Sequence, residues 1–263
     1  MTFNNRLKIA VFPLDIKQSQ QQENIEACRI ALAKIEPDTD LVILPELFTT
    51  GFIADRDEAL AKAEPYDDSN DHTLRQLAAM ASDINAAICG SYLKLDPEGR
   101  PANHAVFMEP SGEYDVYYKH HLFGLSRESE FYGAGDKEPP VIRYRGWNIS
   151  MVICYDLRFP TWCRNRNLKY DLLLIPANWP DSRRYAWEHL LIARAIENQA
   201  IVAGADRSGS DEYGVYPPEM SAVYDFMGYQ AGTLSADGFI YATLHKDRLE
   251  QFRRRFPFYK DAD

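Results

Sequence analysis

Long hydrophobic runs are missing from this chain. No stretch approaches the ~20 consecutive apolar residues that cross a bilayer. Residues 1–6 lead straight into the strand-like Leu7-Lys8-Ile9-Ala10-Val11-Phe12, with no basic start and apolar leader core. The expectation is a cytoplasmic protein with no membrane partner. Cysteine is sparse too: Cys28, Cys89, Cys154 and Cys163 form neither C-x-x-C pairs nor zinc-ligand spacings, and a chain this long has no need of disulfide staples. All four read as free thiols. Cys28 falls on the apolar side of a helix pattern and Cys89 within a buried strand, which leaves Cys154 and Cys163 near a surface. Positive charge is short as well. The 29 Lys and Arg against 39 Asp and Glu give a net charge of −10, the opposite of a nucleic-acid or anionic-membrane footprint. The Arg253-Arg254-Arg255 run reads as the solvated last turn of a helix, where the dipole favours cations. Linkers, fixed-period repeats and low-complexity tracts are also absent, so one α/β domain over residues 1–263 is expected.

What is present alternates between the two secondary-structure periods. After the first strand, Ile25, Cys28, Leu32 and Ile35 mark one helix face in residues 20–35, and Leu41-Val42-Ile43-Leu44 reads as a fully buried strand. Leu74, Leu77, Ala78, Ala81 and Ile84 mark a second helix. Strands follow at 86–94, 103–108 and 113–118, separated by the turns Pro97-Glu98-Gly99 and Pro110-Ser111-Gly112. Residues 124–140 have no clear period and read as a loop over the active face, carrying Glu128 and Glu130. Strands 141–144 and 147–153 form a hairpin around Arg145-Gly146. A strand at 171–176, a helix at 185–198, a strand at 200–205, antiparallel strands after Ser221 and a helix at 245–255 complete the pattern. The βαβαβββ start requires a mixed sheet.

Polar, reactive residues recur where these strands stop. Pro45 ends the second strand, since it cannot donate to a ladder, and Glu46 follows in a loop apolar enough to bury a carboxylate, which suits a base. Lys119 follows strand 113–118, and Cys154 follows strand 147–153. Each has a bland alternative: a capping glutamate, an ordinary surface lysine, a cysteine used as core filler. Together they are what acyl transfer through a thioester needs. A thiol with a free pKa of about 8.5 requires a base or a cation beside it. Glu46 can take its proton, while Lys119 can favour the thiolate and then hold the tetrahedral oxyanion, with the Tyr155 backbone N–H as a second donor. His120 and His121 point apart on extended backbone with no further ligand spaced to complete a shell, so no metal site is expected.

The motifs L-P-E-L-F-T-T-G-F, Y-Y-K-H-H-L-F and I-C-Y-D-L-R-F-P, in this order, resemble the Glu-Lys-Cys motifs of the nitrilase superfamily. The C-Y-D-L-R-F-P wording, with A-N-W-P, A-R-A-I-E-N-Q and the closing F-P-x-x-x-D-A-D, is most similar to the bacterial omega-amidase branch. The resemblance implies a four-layer αββα sandwich of two mixed β-sheets that dimerises through its sheet-covering helices and uses no cofactor. It also implies Glu46 as general base, Lys119 as oxyanion cation, Cys154 as nucleophile and Glu128 as a second glutamate positioning substrate and lysine. The chain departs from the family pattern within 206–228, at Tyr216-Pro217-Pro218-Glu219-Met220-Ser221 and Asp225-Phe226-Met227-Gly228, which bears on the substrate-side loop.

An acidic protein that holds a substrate carboxylate needs a local cation. Arg158, Arg183, Arg184 and Arg207 follow strand ends on the side where Cys154 emerges, and a guanidinium fork can meet both carboxylate oxygens. Phe52 and Trp179 are further candidates for substrate contact. The expected reaction is hydrolysis of the terminal amide of a short dicarboxylic acid, such as the 2-oxo acid derived from glutamine. Alternatives are hydrolysis of N-carbamoyl amino acids, nitriles or deaminated glutathione by the same triad, or a catalytically idle metabolite-binding relative.

Overall fold

The computed structural model describes residues 5–261. A seven-stranded mixed sheet runs in the order β13-β14-β1-β2-β3-β4-β5, built from β1 (Arg6–Val11), β2 (Leu41–Ile43), β3 (Ala87–Leu95), β4 (Pro101–Met108), β5 (Tyr114–Tyr118), β13 (Thr233–Leu234) and β14 (Ile240–His245). A five-stranded mixed sheet runs β12-β9-β8-β7-β6, from β6 (Ile142–Tyr144), β7 (Trp147–Met151), β8 (Leu172–Ala177), β9 (Ile201–Asp206) and β12 (Ala222–Tyr224). The small ribbon of β10 (Gly209–Asp211) and β11 (Gly214–Tyr216) stands apart.

The layers follow from side-chain parity. Successive residues of a strand face opposite ways. Leu7, Ile9, Val11, Leu41 and Ile43 therefore join the core between the sheets, with Ile149, Met151, Leu172 and Leu174 opposite. Ala10, Val42 and Leu44 join the outer core beneath α1 (Gln21–Leu32) and α3 (His72–Ile84). Those helices present Ile25, Cys28 and Leu32, and Leu74, Leu77 and Met80. On the far side Trp187, Leu191 and Ala195 of α5 (Arg184–Asn198) cover the second sheet. The result is the expected αββα sandwich. Burial of each such Leu or Ile side chain contributes about 1.5–3 kcal/mol, so strands buried on both faces carry most of the fold.

Local signals set the element ends. The Asp71 carboxylate caps α3 by accepting from the Leu74 N–H, and Asn85 closes it in the left-handed region, φ 51°. Arg145 and Gly146 both take positive φ, 46° and 84°, as a two-residue hairpin whose turn matches strand twist requires.

Four expectations need correction. A helix, α2 (Arg56–Lys62), lies where none was read; its signal is Asp55, which caps the Glu58 N–H. The loop 124–140 contains a one-turn helix, α4 (Glu128–Phe131). Cys163 is buried rather than near a surface. Arg253, in α6 (Lys246–Arg255), is not solvated: its guanidinium donates to Asp171 Oδ1 at 2.7 Å and to the carbonyls of Gln199 and Tyr170, both at 2.8 Å. An internal carboxylate and two buried carbonyls outweigh the ordinary preference of an arginine for water.

Candidate active site

Four strand ends meet at the rim where the two sheets face each other. β2 delivers Glu46, β5 delivers Lys119, β7 leads through Val152 and Ile153 to Cys154, and β8 leads to Asn178. Glu46, Lys119 and Glu128 are each under 5% exposed. Charges so buried survive only if paired and hydrogen-bonded, and these are. Lys119 Nζ lies 2.9 Å from Glu46 Oε1 and 2.9 and 3.0 Å from the two oxygens of Glu128. Glu46 Oε1 also accepts from Asn103 Nδ2 at 2.7 Å, and Oε2 from the Asn178 backbone N–H at 2.9 Å. Glu128 is held from behind by the Phe123 N–H at 2.6 Å.

Cys154 opens the turn after β7 with φ 43°, a left-handed conformation that costs a non-glycine residue of order 1 kcal/mol or more. The buried Cys154 thiol lines the cleft and lies 4.0 Å from the Asn178 carbonyl oxygen. The neighbouring Tyr155 N–H donates to no backbone carbonyl outside its own helical turn among the described residues.

The electrostatics set the resting protonation states. Burial disfavours a charged Lys119, but Glu128 and Glu46 hold it protonated well above the ordinary lysine range. Burial pushes the Cys154 thiol well up, and Glu46 adds to this against the opposing pull of Lys119. Lys119 favours the thiolate, as its charge requires, but burial and Glu46 outweigh it. Cys154 rests as a thiol, and its ionisation has to be coupled to a base.

A cleft of about 260 Å³ opens above these groups, lined by Phe52, Tyr155, Arg158, Trp179, Arg183 and Tyr213 among others. Phe52 packs against Tyr132 and Tyr213 at 6.0 and 5.6 Å. Arg158 lies over the Trp179 ring at 4.7 Å and Arg183 over the Phe123 ring at 5.1 Å. Neither guanidinium has a carboxylate partner among the described residues. The other two candidate arginines are elsewhere. Arg184 points away, pairing with Asp181 at 2.6 Å and Glu188 at 3.9 Å. Arg207 is wholly buried, bound to Asp211 at 2.7 Å and to the Ile16 carbonyl at 2.6 Å.

Sequence reasoning missed several residues that build this site. Asn103 sits mid-strand with no signal. Asn178 follows the apolar run of β8 as Glu46 follows β2, and that position could have flagged it. Asp156 and Asp206 are carboxylates with no exposure at all. The adjacent His120 and His121 serve as loop ties: His120 Nδ1 lies 2.6 Å from the Gly135 carbonyl and His121 Nδ1 2.8 Å from Asp156 Oδ1.

Residues 8–254 match the carbon-nitrogen hydrolase family, and the chain belongs to it. It is a hydrolase of non-peptide carbon-nitrogen bonds with the nitrilase-superfamily fold. Among its relatives, the omega-amidase YafV of Escherichia coli is 41% identical over 226 residues, 85% of this chain and 84% of that protein. The 2-oxoglutaramate amidase of Bacillus subtilis is 29% identical over 96% of both chains. A crystal structure of a CN-hydrolase superfamily protein from Xanthomonas campestris, carrying an arsenic adduct in its active site, superposes with a TM-score of 0.89 at 34% identity, covering 98% of this chain and 97% of that one.

Proposed function

We propose that this amidase is an omega-amidase that hydrolyses the terminal amide of a short dicarboxylic acid monoamide, of the 2-oxoglutaramate type, through a Cys154 thioester. The observation that carries the reading is one cleft holding the Glu46, Lys119 and Cys154 cluster together with two guanidiniums that lack carboxylate partners. The names of the Escherichia coli and Bacillus subtilis relatives support it.

In this mechanism Glu46 removes the Cys154 proton as Sγ attacks the amide carbon. The oxyanion is held by Lys119 Nζ and the Tyr155 N–H, donors fixed before the reaction begins. As the tetrahedral intermediate collapses, Glu46 returns the proton to the amide nitrogen, the carbon-nitrogen bond breaks and ammonia leaves. Glu46 then deprotonates a water molecule that attacks the thioester; collapse of the second intermediate frees the acid and the thiol. Glu128 keeps Lys119 aimed and charged. Arg158 or Arg183 receives the distal carboxylate, and the Phe52 and Trp179 rings exclude water from the acyl chain. No cofactor takes part. Two copies would associate through α5 and the adjoining loop, where Tyr185, Ile196, Met227 and Tyr229 are exposed apolar groups.

An ammonia-release assay over amides of equal length, with and without a distal carboxylate, tests the reading. The charged amide should have the higher kcat/KM. Equal values, or faster turnover of nitriles or N-carbamoyl amino acids, would overturn the omega-amidase assignment.

A further inference from the structure

Behind the Glu46 cluster lies a carboxyl group for which the mechanism above has no use. Asp206 ends β9, opposite Ala177 in the parallel register with β8, and its side chain is entirely buried. The Ala177 carbonyl accepts both from the Glu46 N–H at 3.4 Å and from the Arg207 N–H at 3.2 Å, so the two carboxyl-bearing segments share one anchoring point. Asp206 Oδ1 accepts from the Trp179 N–H at 2.7 Å and from the Arg207 N–H at 3.0 Å. Ser221 Oγ fixes its backbone, accepting from the Asp206 N–H at 2.9 Å and donating to its carbonyl at 3.0 Å. The residue before Trp179 is Asn178, whose N–H holds Glu46 Oε2 and whose Nδ2 holds the Glu46 carbonyl at 3.0 Å. The Asp206 side chain thus sets the peptide next to the one that aims the glutamate.

Its other oxygen is the telling feature. Asp206 Oδ2 is buried and has no hydrogen-bond partner among the described residues, and the Asn178 Oδ1 nearby in sequence to Trp179 is in the same state. An ionised carboxylate with one oxygen bare of donors is among the most costly things to bury. Of the charged groups facing it, only Arg207 favours the ionised form, and burial outweighs that attraction. Glu46, from the β2 turn, repels a negative charge. Arg207, on Asp206's own strand end, has its guanidinium committed to Asp211, to the Ile16 carbonyl and to the Ser208 carbonyl. Burial pushes the Asp206 carboxyl well up, and the two backbone N–H groups on Oδ1 do not reverse it.

We propose that Asp206 is a positioning residue that works as an uncharged carboxylic acid, fixing the Trp179 and Asn178 peptides against Glu46 without setting a second negative charge behind it. The inference rests on the reading of Glu46 as the base. A neutral acid keeps the acceptor at Oδ1 and gains a donor at Oδ2, the hydrogen-bonding pattern of an asparagine side chain.

The test compares the wild-type protein with Asp206→Asn and Asp206→Ala. An infrared difference spectrum between wild type and Asp206→Asn at neutral pH should contain the carbonyl band of a protonated carboxyl group, shifted down in D2O; a carboxylate pair of bands instead overturns the proposal. Asp206→Asn should keep turnover within about threefold, because a neutral side chain of the same shape preserves the near-attack geometry. Asp206→Ala, checked as folded by near-ultraviolet circular dichroism, should lose roughly 10- to 100-fold in kcat with KM little changed, the scale on which misplacing a catalytic group acts. A folded Asp206→Ala with full kcat, or an Asp206→Asn as damaged as the alanine variant, also overturns it. If Asp206→Ala does not fold, the infrared band decides alone. Failure of the base assignment is separable: Glu46→Gln with full turnover would remove Glu46 from the mechanism and leave the Asp206 band in place.

Discussion

Asp156 Oδ1 accepts from the backbone N–H of His121 at 2.9 Å and lies 2.8 Å from its Nδ1, which ties the turn carrying Cys154 to the loop carrying Lys119. The other oxygen accepts from Tyr117 O–H at 2.7 Å and from the Ile153 N–H at 3.1 Å. Each residue of the tie lies two positions beyond a proposed catalytic group. Asp156→Ala strands the His121 and Ile153 backbone N–H groups and the Tyr117 hydroxyl, each costing about 1–3 kcal/mol where water cannot enter. The midpoint of urea unfolding should fall by the equivalent of about 3 kcal/mol or more, with kcat reduced in the fraction that folds. A variant of native stability and native turnover would show that the two segments are held by packing alone.

Cys154 and Cys163 are nine residues apart in sequence, yet only Cys154 lines the cleft. Cys154→Ala should abolish turnover with the fold intact, and Cys163→Ala should leave turnover near the wild-type level. Mass spectrometry after a substrate pulse should find the acyl adduct on the peptide containing Cys154. The reverse pattern of activities would move the nucleophile.

Because burial and Glu46 both raise the Cys154 thiol, alkylation of the free protein by iodoacetamide should be slow at neutral pH and accelerate only above the ordinary thiol range. The sign for Glu46→Gln is then fixed. Removing the carboxylate lowers the thiol pKa, so the alkylation profile moves to lower pH although acylation by substrate is lost. A profile that stays put, or moves up, would mean that Glu46 does not face the sulfur.

Lys119→Gln removes one oxyanion donor, a loss on the order of 10²–10³ in kcat. It also leaves Glu46 and Glu128 buried without their common cation, so a fall in stability of several kcal/mol should accompany it. Near-normal turnover would exclude the lysine from the chemistry.

His104 offers a pH dependence with a definite sign. Burial, with Lys94 nearby, lowers its pKa from 6.5 to about 3. Below 6.5 the unfolded chain binds a proton that the native state refuses, so its contribution is complete above that value. It is lost as pH falls towards 3, at about 1.4 kcal/mol per pH unit. Between pH 7 and pH 5 His104→Gln should lose about 2 kcal/mol less stability to urea than the wild type. Equal losses would place the acid sensitivity elsewhere.

Arg158→Gln and Arg183→Gln separate the two cleft guanidiniums. The variant that removes the carboxylate-binding group should raise KM for the charged amide while sparing its uncharged analogue. Arg184→Gln, whose side chain pairs outside the cleft, should change neither.

Most of the strands, their succession along the chain and the three polar residues at their ends were legible in the sequence, because alternation and abrupt apolar-to-polar boundaries are properties of neighbouring residues; the ribbon of β10 and β11 was not. Leu7, Ile9 and Val11 face one core and Ala10 the other whatever lies around them. The tertiary structure decided where the longer side chains go. Nothing local separates Arg158, which meets the Trp179 ring, from Arg207, which is consumed by Asp211 and a carbonyl of a segment 191 residues away. Asn103, Asp206 and Arg253 were invisible for the same reason. Each is a polar residue whose partners come from other elements, and a polar group declares its role only when the chain has brought those partners within hydrogen-bond reach and shut out the water that would otherwise serve.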